Sequence, residues 1–329
     1  MSANISIFVP HNGCKNQCSF CNQFCITSQS YQPTGADVDK AVEIALSHLG
    51  DRAKEAEIAF FGGSFTAIEK DYMLSLLESA HKYVAKGLVG GIRISTRPDA
   101  ISPEILDILN NFGVTTIELG AQSMSDDVLA QNHRGHNAES VVKASKLIKE
   151  YGFKLGLQMM TGLYCDTDEK AIKTCENIIS LKPDCVRIYP TIVLKNTLLE
   201  KLLIAGIYQP QSLDNAVKLC CVLLDRFDAA NIPVIRLGLH TIDNVSYVAG
   251  PWHAAFGELC ESQRLYDKIK AQIFDKGTYE IFVAPKMVSK AIGQNKSNIK
   301  RFAQEGILVK IIEDSNLENG SFTVREVKQ

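Results

Sequence analysis

Short apolar runs alternate with longer amphipathic segments over the first two thirds of the chain. The amphipathic segments, such as DVDKAVEIALSHL (37–49) and MLSLLESAHKYV (73–84), carry apolar residues at helical spacing. The predicted strands are the runs ISIFVP (5–10), EIAFF (57–61), GIRIS (91–95), TTIEL (115–119), FKLGLQMM (153–160) and CVRIYP (185–190). Because each strand neighbours a helical segment, the pattern predicts an α/β fold whose parallel sheet forms an open, partial barrel. Such folds place their chemistry at the carboxyl ends of the strands.

The alternation stops near residue 240, which predicts a first domain over residues 1–240. Residues 241–275 are turn-rich and predict a capping or connecting segment. Over residues 276–329, the runs TYEIFVAP, ILVKIIED and SFTVREV predict strands, and SKAIG and NIKRFAQEG predict short helices. This order predicts a small α+β domain. The segment GPWHAAFGELCES (250–262) has two open interpretations, since it either caps the barrel mouth or joins the two domains.

Composition leaves several classes of partner open. The chain has 329 residues, 46% of them hydrophobic, and a net charge of −2, which excludes neither RNA nor a small-molecule substrate. We expect no secretory signal, because no basic region followed by an apolar run opens the chain. We expect no membrane partner, because no apolar stretch reaches the roughly 18 residues of a membrane span. Ten cysteines without an export signal predict a cytoplasmic protein, in which clustered thiols bind metal or do redox chemistry.

Four of the cysteines are crowded into CKNQCSFCNQFC (14–25), directly after the first predicted strand. Their spacing is Cys14-x3-Cys18-x2-Cys21, and Cys25 follows. Three interpretations compete: a structural zinc site, dispersed packing thiols, and a 4Fe–4S cluster on three thiolates that leaves one iron open to a ligand. The polar loop disfavours packing thiols, and the spacing favours the cluster. In that interpretation Cys25 is either a bystander or a functional thiol nearby.

Further motifs follow at predicted strand ends. They are GGS (62–64), STRPD (95–99), IELGAQS (117–123), NHRGH (132–136) and YPTIVLKNTLLEKLLIAGIY (189–208). With the cysteine loop and its aromatic Phe20, these motifs resemble the radical S-adenosylmethionine (SAM) domain of the Elongator catalytic subunit over about residues 5–240. The motifs also resemble, less closely, those of oxygen-independent coproporphyrinogen oxidase-like proteins. The resemblance implies a partial (β/α)6 TIM-like radical SAM barrel.

The resemblance also implies roles for individual residues. Cys14, Cys18 and Cys21 would ligate the 4Fe–4S cluster. The residues expected to bind SAM or to face the substrate are Gly62, Gly63, Ser64, Ser95, Arg97, Gln122, Arg134, Met160 and Tyr189. The glycine pair would allow the backbone to approach the methionine end of SAM closely. Without the resemblance, other roles stay open for three of these residues. Arg97 and Arg134 could each form a structural ion pair, and Tyr189 could serve in packing.

The chain departs from the Elongator pattern in several respects. Ser64 stands where radical SAM enzymes usually have a glutamate, and Ser95 stands where Elongator subunits have one. The residues after 240 are too few for the acetyltransferase domain of Elongator, and we expect no basic RNA-binding segment before the first strand. The acetyl chemistry of Elongator therefore stays open for this chain.

A second resemblance lies near the carboxyl terminus, in VSKAIGQNKSNIKRF (288–302). This stretch is similar to the I-G-x-x-G-x-x-I loop of KH domains, whose backbone clamps four nucleotides, except that a lysine replaces the second glycine. The residues expected to contact nucleic acid are Lys290, Gly293, Lys296, Lys300 and Arg301. The resemblance implies a KH-like α+β domain, and the alternative is a solvated helix face on a small appendage.

Together, these features predict a radical SAM enzyme that reductively cleaves SAM to a 5′-deoxyadenosyl radical. RNA, in particular tRNA, is the expected substrate class, and a ferredoxin or flavodoxin is the expected electron donor. Two alternatives stay open: a radical SAM enzyme acting on a small molecule, and a non-catalytic RNA-binding protein with a structural zinc loop. The sequence assigns no catalytic residue.

Overall fold

The computed structural model describes residues 3–10, 12–14, 17–22, 31–239, 245–318 and 320–327. Cys25, whose role the sequence leaves open, lies outside the described residues. The chain forms two compact units, of which the first contains residues 1–212 and 224–252 and the second contains residues 213–223 and 253–329. These units differ from the predicted divisions at 240 and 275, which stay predictions.

A seven-stranded parallel sheet forms the centre of the first unit. In spatial order its strands are β1 (Asn4–Val9), β2 (Glu57–Gly62), β3 (Gly91–Thr96), β4 (Val114–Gln122), β5 (Lys154–Thr161), β6 (Cys185–Pro190) and β8 (Val234–Leu237). A separate antiparallel ribbon pairs β7 (Val193–Leu194) with β9 (Tyr247–Ala249). The predicted α/β fold with a parallel sheet is confirmed. The sequence missed β8, because VIRL is only four residues long and directly follows Pro233.

Helices connect the strands of the sheet. They are α1 (Gly35–Leu49), α2 (Lys70–Ala85), α3 (Pro103–Asn111), α4 (Asp126–Gln131), α5 (Ala138–Glu150), α6 (Asp168–Ser180), α7 (Leu198–Ile204) and α8 (Leu213–Ala229). Three short 3-10 helices span Gly50–Glu55, Phe65–Ala67 and Pro98–Ala100. Side chains of Ser102, Asn137 and Thr167 accept backbone N–H groups at the starts of α3, α5 and α6, which fixes where these helices begin. The strands supply a fully buried apolar layer that includes Ile58 and Ile94.

The second unit contains a three-stranded mixed sheet. Its elements after residue 253 are α9 (Phe256–Lys270), β10 (Gly277–Val283), α10 (Val288–Ile292), a 3-10 turn (Gln294–Lys296), α11 (Ser297–Gln304), β11 (Ile307–Glu313) and β12 (Phe322–Glu326). Central β10 pairs parallel with β11 and antiparallel with β12. The strand–helix–helix–strand order matches the sequence prediction. The sequence did not predict α9, whose buried face includes Leu265 and Ile269.

No helix in the part of the chain that the structure describes has both the length and the apolar character needed to cross a membrane.

Candidate active site

A cavity opens at the carboxyl ends of β1 to β4, where the parallel fold was expected to place its chemistry. It is lined by Cys14, Gln17, Cys18, Phe20, Cys21, Gly62, Ser64, Thr96, Arg97, Gln122 and Arg134. The structure therefore brings together three cysteines and five of the predicted SAM-binding residues from four separate motifs. Among the described residues, the lining does not include the other four predicted SAM-binding residues, which are Gly63, Ser95, Met160 and Tyr189.

Arg134 lies directly against the cysteine loop. Its Nη1 donates a hydrogen bond to Cys18 Sγ over 3.1 Å, and its Nη2 donates to the Gly120 carbonyl over 2.7 Å. The guanidinium carbon lies 5.9 Å from the centroid of the Phe20 ring. Among the described residues, Arg134 contacts a sulfur and a backbone carbonyl, and no carboxylate pairs with it there. A guanidinium in this position compensates negative charge that develops on the sulfur atoms.

Cys14 lies beside both the second cysteine and the glycine motif. Burial raises the pKa of the Cys14 thiol, and the neighbouring Cys18 raises it further, while a hydrogen bond with the Ser64 side chain and the charge of Arg134 lower it. Ser64, which stands where the resemblance leads us to expect a glutamate, thus lies beside the first cysteine. Because metal binding releases the thiol proton, loading of this cysteine is expected to depend on pH.

The glycines at the ends of β1 and β2 allow two loops to pack against each other. The Gly63 N–H donates to the Val9 carbonyl over 2.8 Å, and a Cβ at Gly63 would stand 2.1 Å from the Asn12 carbonyl oxygen. A Cβ at Gly13, where φ is +75°, would stand 2.3 Å from the Ser64 carbonyl oxygen. No side chain fits at either position. Gly63 therefore holds the start of the cysteine loop against the end of β2.

Arg97 and Gln122 reach the cavity from the ends of β3 and β4. Arg97 Nη1 donates to the Gly13 carbonyl over 2.8 Å, and its Nε lies 2.8 Å from Asp99 Oδ1, so the alternative of an ion pair holds for this arginine. Gln122 has a φ of +66° and follows an irregularity in the β4–β5 register at Gly120. This bulge turns the buried Gln122 side chain toward the cavity, as bulges beside active sites commonly do.

The sequence analysis missed the role of Asn132, the first residue of the NHRGH motif. Asn132 is fully buried, and its Oδ1 accepts a hydrogen bond from Ser19 Oγ over 2.6 Å while its carbonyl accepts from the Ser19 N–H over 3.1 Å. Its Nδ2 donates to the Tyr164 carbonyl over 2.9 Å. The side chain thus ties the cysteine loop to the segment after β5. A signal existed in the sequence, because an asparagine at the end of a short helix is available for such bonds.

A charged network lies within the same sheet. Arg93 Nη2 lies 2.6 Å from Glu57 Oε2, and Arg93 Nη1 lies 2.6 Å from Glu118 Oε1. Burial by itself would raise the pKa of Glu57, but hydrogen bonds from Thr116 and Thr115 and the charge of Arg93 hold it below its usual range. Ser95 joins this network rather than the cavity, because Gln158 Nε2 contacts both Ser95 Oγ, at 3.4 Å, and Glu118 Oε2, at 2.9 Å.

The residues present fit an iron–sulfur cluster and a polar ligand. Three thiols surround one cavity, and the buried atoms Gln122 Oε1 and Arg134 Nε have no hydrogen-bond partner among the described residues. Buried polar atoms of this kind indicate a bound group, since nearly all such atoms in native proteins are paired. Within the described ranges, no three His, Cys, Asp or Glu side chains form a group that could hold a single metal ion.

The nucleic-acid residues predicted in the second unit divide into two groups. Lys290 is ion-paired with Glu261, and Arg301 donates to Gln263 Oε1 over 2.7 Å while its guanidinium stacks 3.7 Å from the Tyr266 ring centroid. Lys296 and Lys300 are exposed and have no ion-pair partner in the described part of the chain.

Three residues of the loop between α10 and α11 have a positive φ: Gly293, Asn295 and Lys296. Gly293 has a φ of +75°, and a Cβ there would lie 2.4 Å from Ser297 Oγ. Lys296, which replaces the second glycine of the KH pattern, has a left-handed backbone with φ +60° and ψ +32°. The lysine thus adopts a conformation that glycine takes at lower cost. The groove beside this loop is lined by Ala255, Glu258, Leu259, Ser262, Lys286, Ser289, Lys290, Ile292, Gly293, Gln294, Asn295 and Lys296.

The fold and the cysteine cavity define the class of the protein. The profile of the radical SAM superfamily matches residues 8–178, and that of the radical SAM C-terminal domain matches residues 183–266. Since the first match covers more than half of the chain, this protein belongs to the radical SAM superfamily. Membership of this superfamily supports an enzymatic function.

Within the superfamily, the chain is similar to Elongator-type proteins. It is 27% identical over 230 residues to the tRNA uridine(34) acetyltransferase of Dehalococcoides mccartyi, over 60% of this chain and 50% of that protein. It is 29% identical over 199 residues to Elongator complex protein 3 of Homo sapiens, over 54% of this chain and 36% of that protein. The chain therefore spans half or less of the length of these two relatives.

A solved structure shows the same likeness of fold. The archaeal Methanocaldococcus infernus Elp3 with an N-terminal deletion matches with a TM-score of 0.62 at 21% identity. The match covers 82% of this chain and 63% of that chain. The predicted resemblance to the Elongator radical SAM region is thus confirmed.

Proposed function

We propose that this protein binds a 4Fe–4S cluster through Cys14, Cys18 and Cys21 and uses SAM to modify RNA, with tRNA as the substrate class. When bound, the cluster and SAM supply a 5′-deoxyadenosyl radical, which abstracts hydrogen from the substrate. The observation that carries the proposal is the convergence of three cysteines, Arg134 and Gln122 on one cavity at the carboxyl ends of the strands.

The residues around the cavity have separate tasks in this proposal. Arg134 offsets the negative charge of the sulfur ligands through its bond to Cys18. Arg97 fixes the start of the cysteine loop through the Gly13 carbonyl. Gln122 offers a buried amide oxygen, without a partner among the described residues, to a donor group such as the ammonium of SAM.

Two observations support RNA as the substrate class. The relatives from Dehalococcoides mccartyi and from archaea are named tRNA uridine(34) acetyltransferases. The second unit carries the exposed Lys296 on a glycine-containing loop between two short helices, and the exposed Lys300 lies in the helix that follows this loop. KH domains use this type of loop to bind single-stranded nucleic acid. Acetyl transfer is not part of the proposal, because the chain spans only half or less of those relatives that perform it by name.

Binding to total tRNA at several salt concentrations tests the substrate class. We expect Lys296→Glu and Lys300→Glu each to weaken binding and to lower the dependence of log affinity on log salt by about one. Lys268→Glu, which changes an exposed lysine in α9 of the same unit, is the matched control and should bind as the unchanged protein does. Equal tRNA binding by all variants, together with SAM cleavage that tRNA does not stimulate, would favour a small-molecule substrate instead.

A further inference from the structure

Two arginines stand side by side on adjacent strands of the barrel sheet. Arg187 of β6 and Arg236 of β8 are direct partners in the parallel register. Directly paired residues project from the same face of a sheet with their Cβ atoms about 5 Å apart, and like charges in this position destabilise the pair. The fold therefore holds two positive charges together in a half-buried place, where a negative charge is needed to offset them.

For Arg187, the offsetting negative charge is the carboxylate of Glu118. Its Nη2 donates to Glu118 Oε1 over 2.9 Å, and its Nε lies 2.8 Å from Glu118 Oε2. Its guanidinium carbon also lies 5.0 Å from the centroid of the Phe61 ring. The side chain is only 11% exposed, so this geometry is well held.

In the described part of the chain, no such carboxylate pairs with Arg236. Its Nε donates to the Gly238 carbonyl over 3.1 Å, and within the described residues it forms no ion pair. Burial lowers the pKa of the Arg236 guanidinium below its usual range; Tyr189 acts to raise this pKa, and the charge of Arg187 acts to lower it. A nearby carboxylate would have the opposite effect.

The carboxylates of the network are already fully engaged. Glu57 accepts hydrogen bonds from Arg93, Thr115 and Thr116. Glu118 accepts from Arg93, Arg187 and Gln158. Among the described residues, three guanidinium groups thus share two carboxylates, and the one without a carboxylate partner is Arg236.

Tyr189 completes this arrangement. It lies two residues after Arg187 on the same face of β6. Burial raises the pKa of the Tyr189 hydroxyl, and the charge of the neighbouring Arg187 acts in the opposite direction. Arg187, Tyr189 and Arg236 each have intermediate exposure, so none of the three is fully buried. The predicted SAM residue Tyr189 therefore belongs to a different cluster from the cysteine cavity.

We propose that Arg236, with Tyr189 and Arg187, binds an anionic group, a carboxylate or a phosphate, of the molecule on which the enzyme acts. This inference rests on the proposed function only in taking that anion to belong to a substrate or co-substrate. A guanidinium presents two parallel N–H groups that match the paired oxygens of carboxylate and phosphate. The source is either a nucleotide phosphate of the RNA or the carboxylate of a small acid.

Arginine labelling on the unchanged protein tests the inference without any need for SAM turnover. The cluster-loaded protein is treated with phenylglyoxal in the presence of inorganic phosphate or of acetate, and labelling of Arg236 is followed by peptide mass spectrometry. Arg226, an exposed arginine of the same unit that is ion-paired with Glu176, is the internal control in the same digest. Because the labelling rate does not depend on SAM cleavage, a failure of anion binding at Arg236 can be told apart from a failure of the catalytic proposal.

We expect labelling of Arg236 to fall with a saturable dependence on the anion. At ten times the half-protecting concentration it should be about tenfold slower, since about one site in eleven is then free. Labelling of Arg226 should not change. Protection by phosphate alone supports a nucleotide phosphate, and protection by acetate alone supports a small acid. Three results would overturn the inference. Arg236 is never labelled, its labelling rate is the same with and without each anion, or its labelling slows only in parallel with that of Arg226.

Discussion

The guanidinium of Arg134 donates a hydrogen bond to the sulfur of Cys18 over 3.1 Å, across 116 residues of sequence. This bond joins the NHRGH motif to the cysteine loop and places a permanent positive charge beside the sulfur atoms. Since Arg134 also holds the Gly120 carbonyl, its position is fixed by the barrel rather than by the loop.

Arg134→Gln should therefore impair turnover. Residues that support the ligands of a metal group typically contribute 10- to 100-fold in activity, so 5′-deoxyadenosine formation per bound cluster should fall by about that factor. Arg226→Gln removes a surface ion pair of the same unit and should have little effect. The measurement is product formation by liquid chromatography at matched iron content. If Arg134→Gln formed 5′-deoxyadenosine at the rate of the unchanged protein, the charge beside Cys18 would have no role in turnover.

Asn132→Ala should loosen the cysteine loop. The substitution leaves the Ser19 hydroxyl and the Tyr164 carbonyl without their bonds to this buried side chain. We expect the free energy of unfolding to fall by about 1–3 kcal/mol, measured by urea denaturation. Asn110→Ala, at an exposed position in α3, should change it by no more than about 0.5 kcal/mol. Equal stability of the two variants contradicts an anchoring role.

Gly63→Ala should disturb the contact between the ends of β1 and β2. Its Cβ would meet the Asn12 carbonyl oxygen at 2.1 Å, so one loop has to move. Overpacking of this kind costs about 1–3 kcal/mol, and we expect iron content after reconstitution to fall as well. In Gly277→Ala the nearest atom is Tyr279 Cε2 at 3.5 Å, an ordinary contact, and this variant should keep its iron. Full iron retention by the Gly63 variant would refute the tight loop packing.

His136 should make stability depend on pH. Burial lowers the pKa of His136 to about 4, and the charge of Arg134 acts in the same direction. Because the unfolded histidine binds its proton near pH 6.5 and the folded one does not, this contribution is present above that pH and is lost as pH falls toward 4. Between pH 6.5 and pH 5 the unchanged protein should lose about 1.6 kcal/mol more than His136→Gln in urea denaturation. Parallel pH profiles of the two proteins would rule out a neutral buried His136.

The strand ends of the site were predictable from sequence because each motif follows an apolar run. Cys14 follows β1, Gly62 ends β2, and Gln122 ends β4, so a parallel sheet has to bring them to one edge. The contacts among them were not predictable. No feature of the sequence indicates that Arg134 contacts a sulfur, while Arg97 has an aspartate partner two residues away.

The charged network within the sheet was missed for a related reason. Glu57, Arg93 and Glu118 each appear as a single charge in or beside an otherwise apolar run, and each run alone gives no partner. Only the register between strands brings these charges together. Likewise, Arg187 and Arg236 become neighbours only because the unpredicted β8 pairs with β6.

The central claim is that Cys14, Cys18 and Cys21 hold a cluster that cleaves SAM, and one anaerobic measurement tests it directly. Iron, sulfide and zinc contents are determined together with 5′-deoxyadenosine released from SAM by a strong reductant, for the unchanged protein, Cys18→Ala and Cys165→Ser. Cys165 is an exposed thiol of the same unit outside the cavity lining and serves as the control. We predict iron, sulfide and SAM cleavage in the unchanged protein and in Cys165→Ser, and their loss in Cys18→Ala. Stoichiometric zinc without SAM cleavage, or cleavage that persists in Cys18→Ala, would contradict the account.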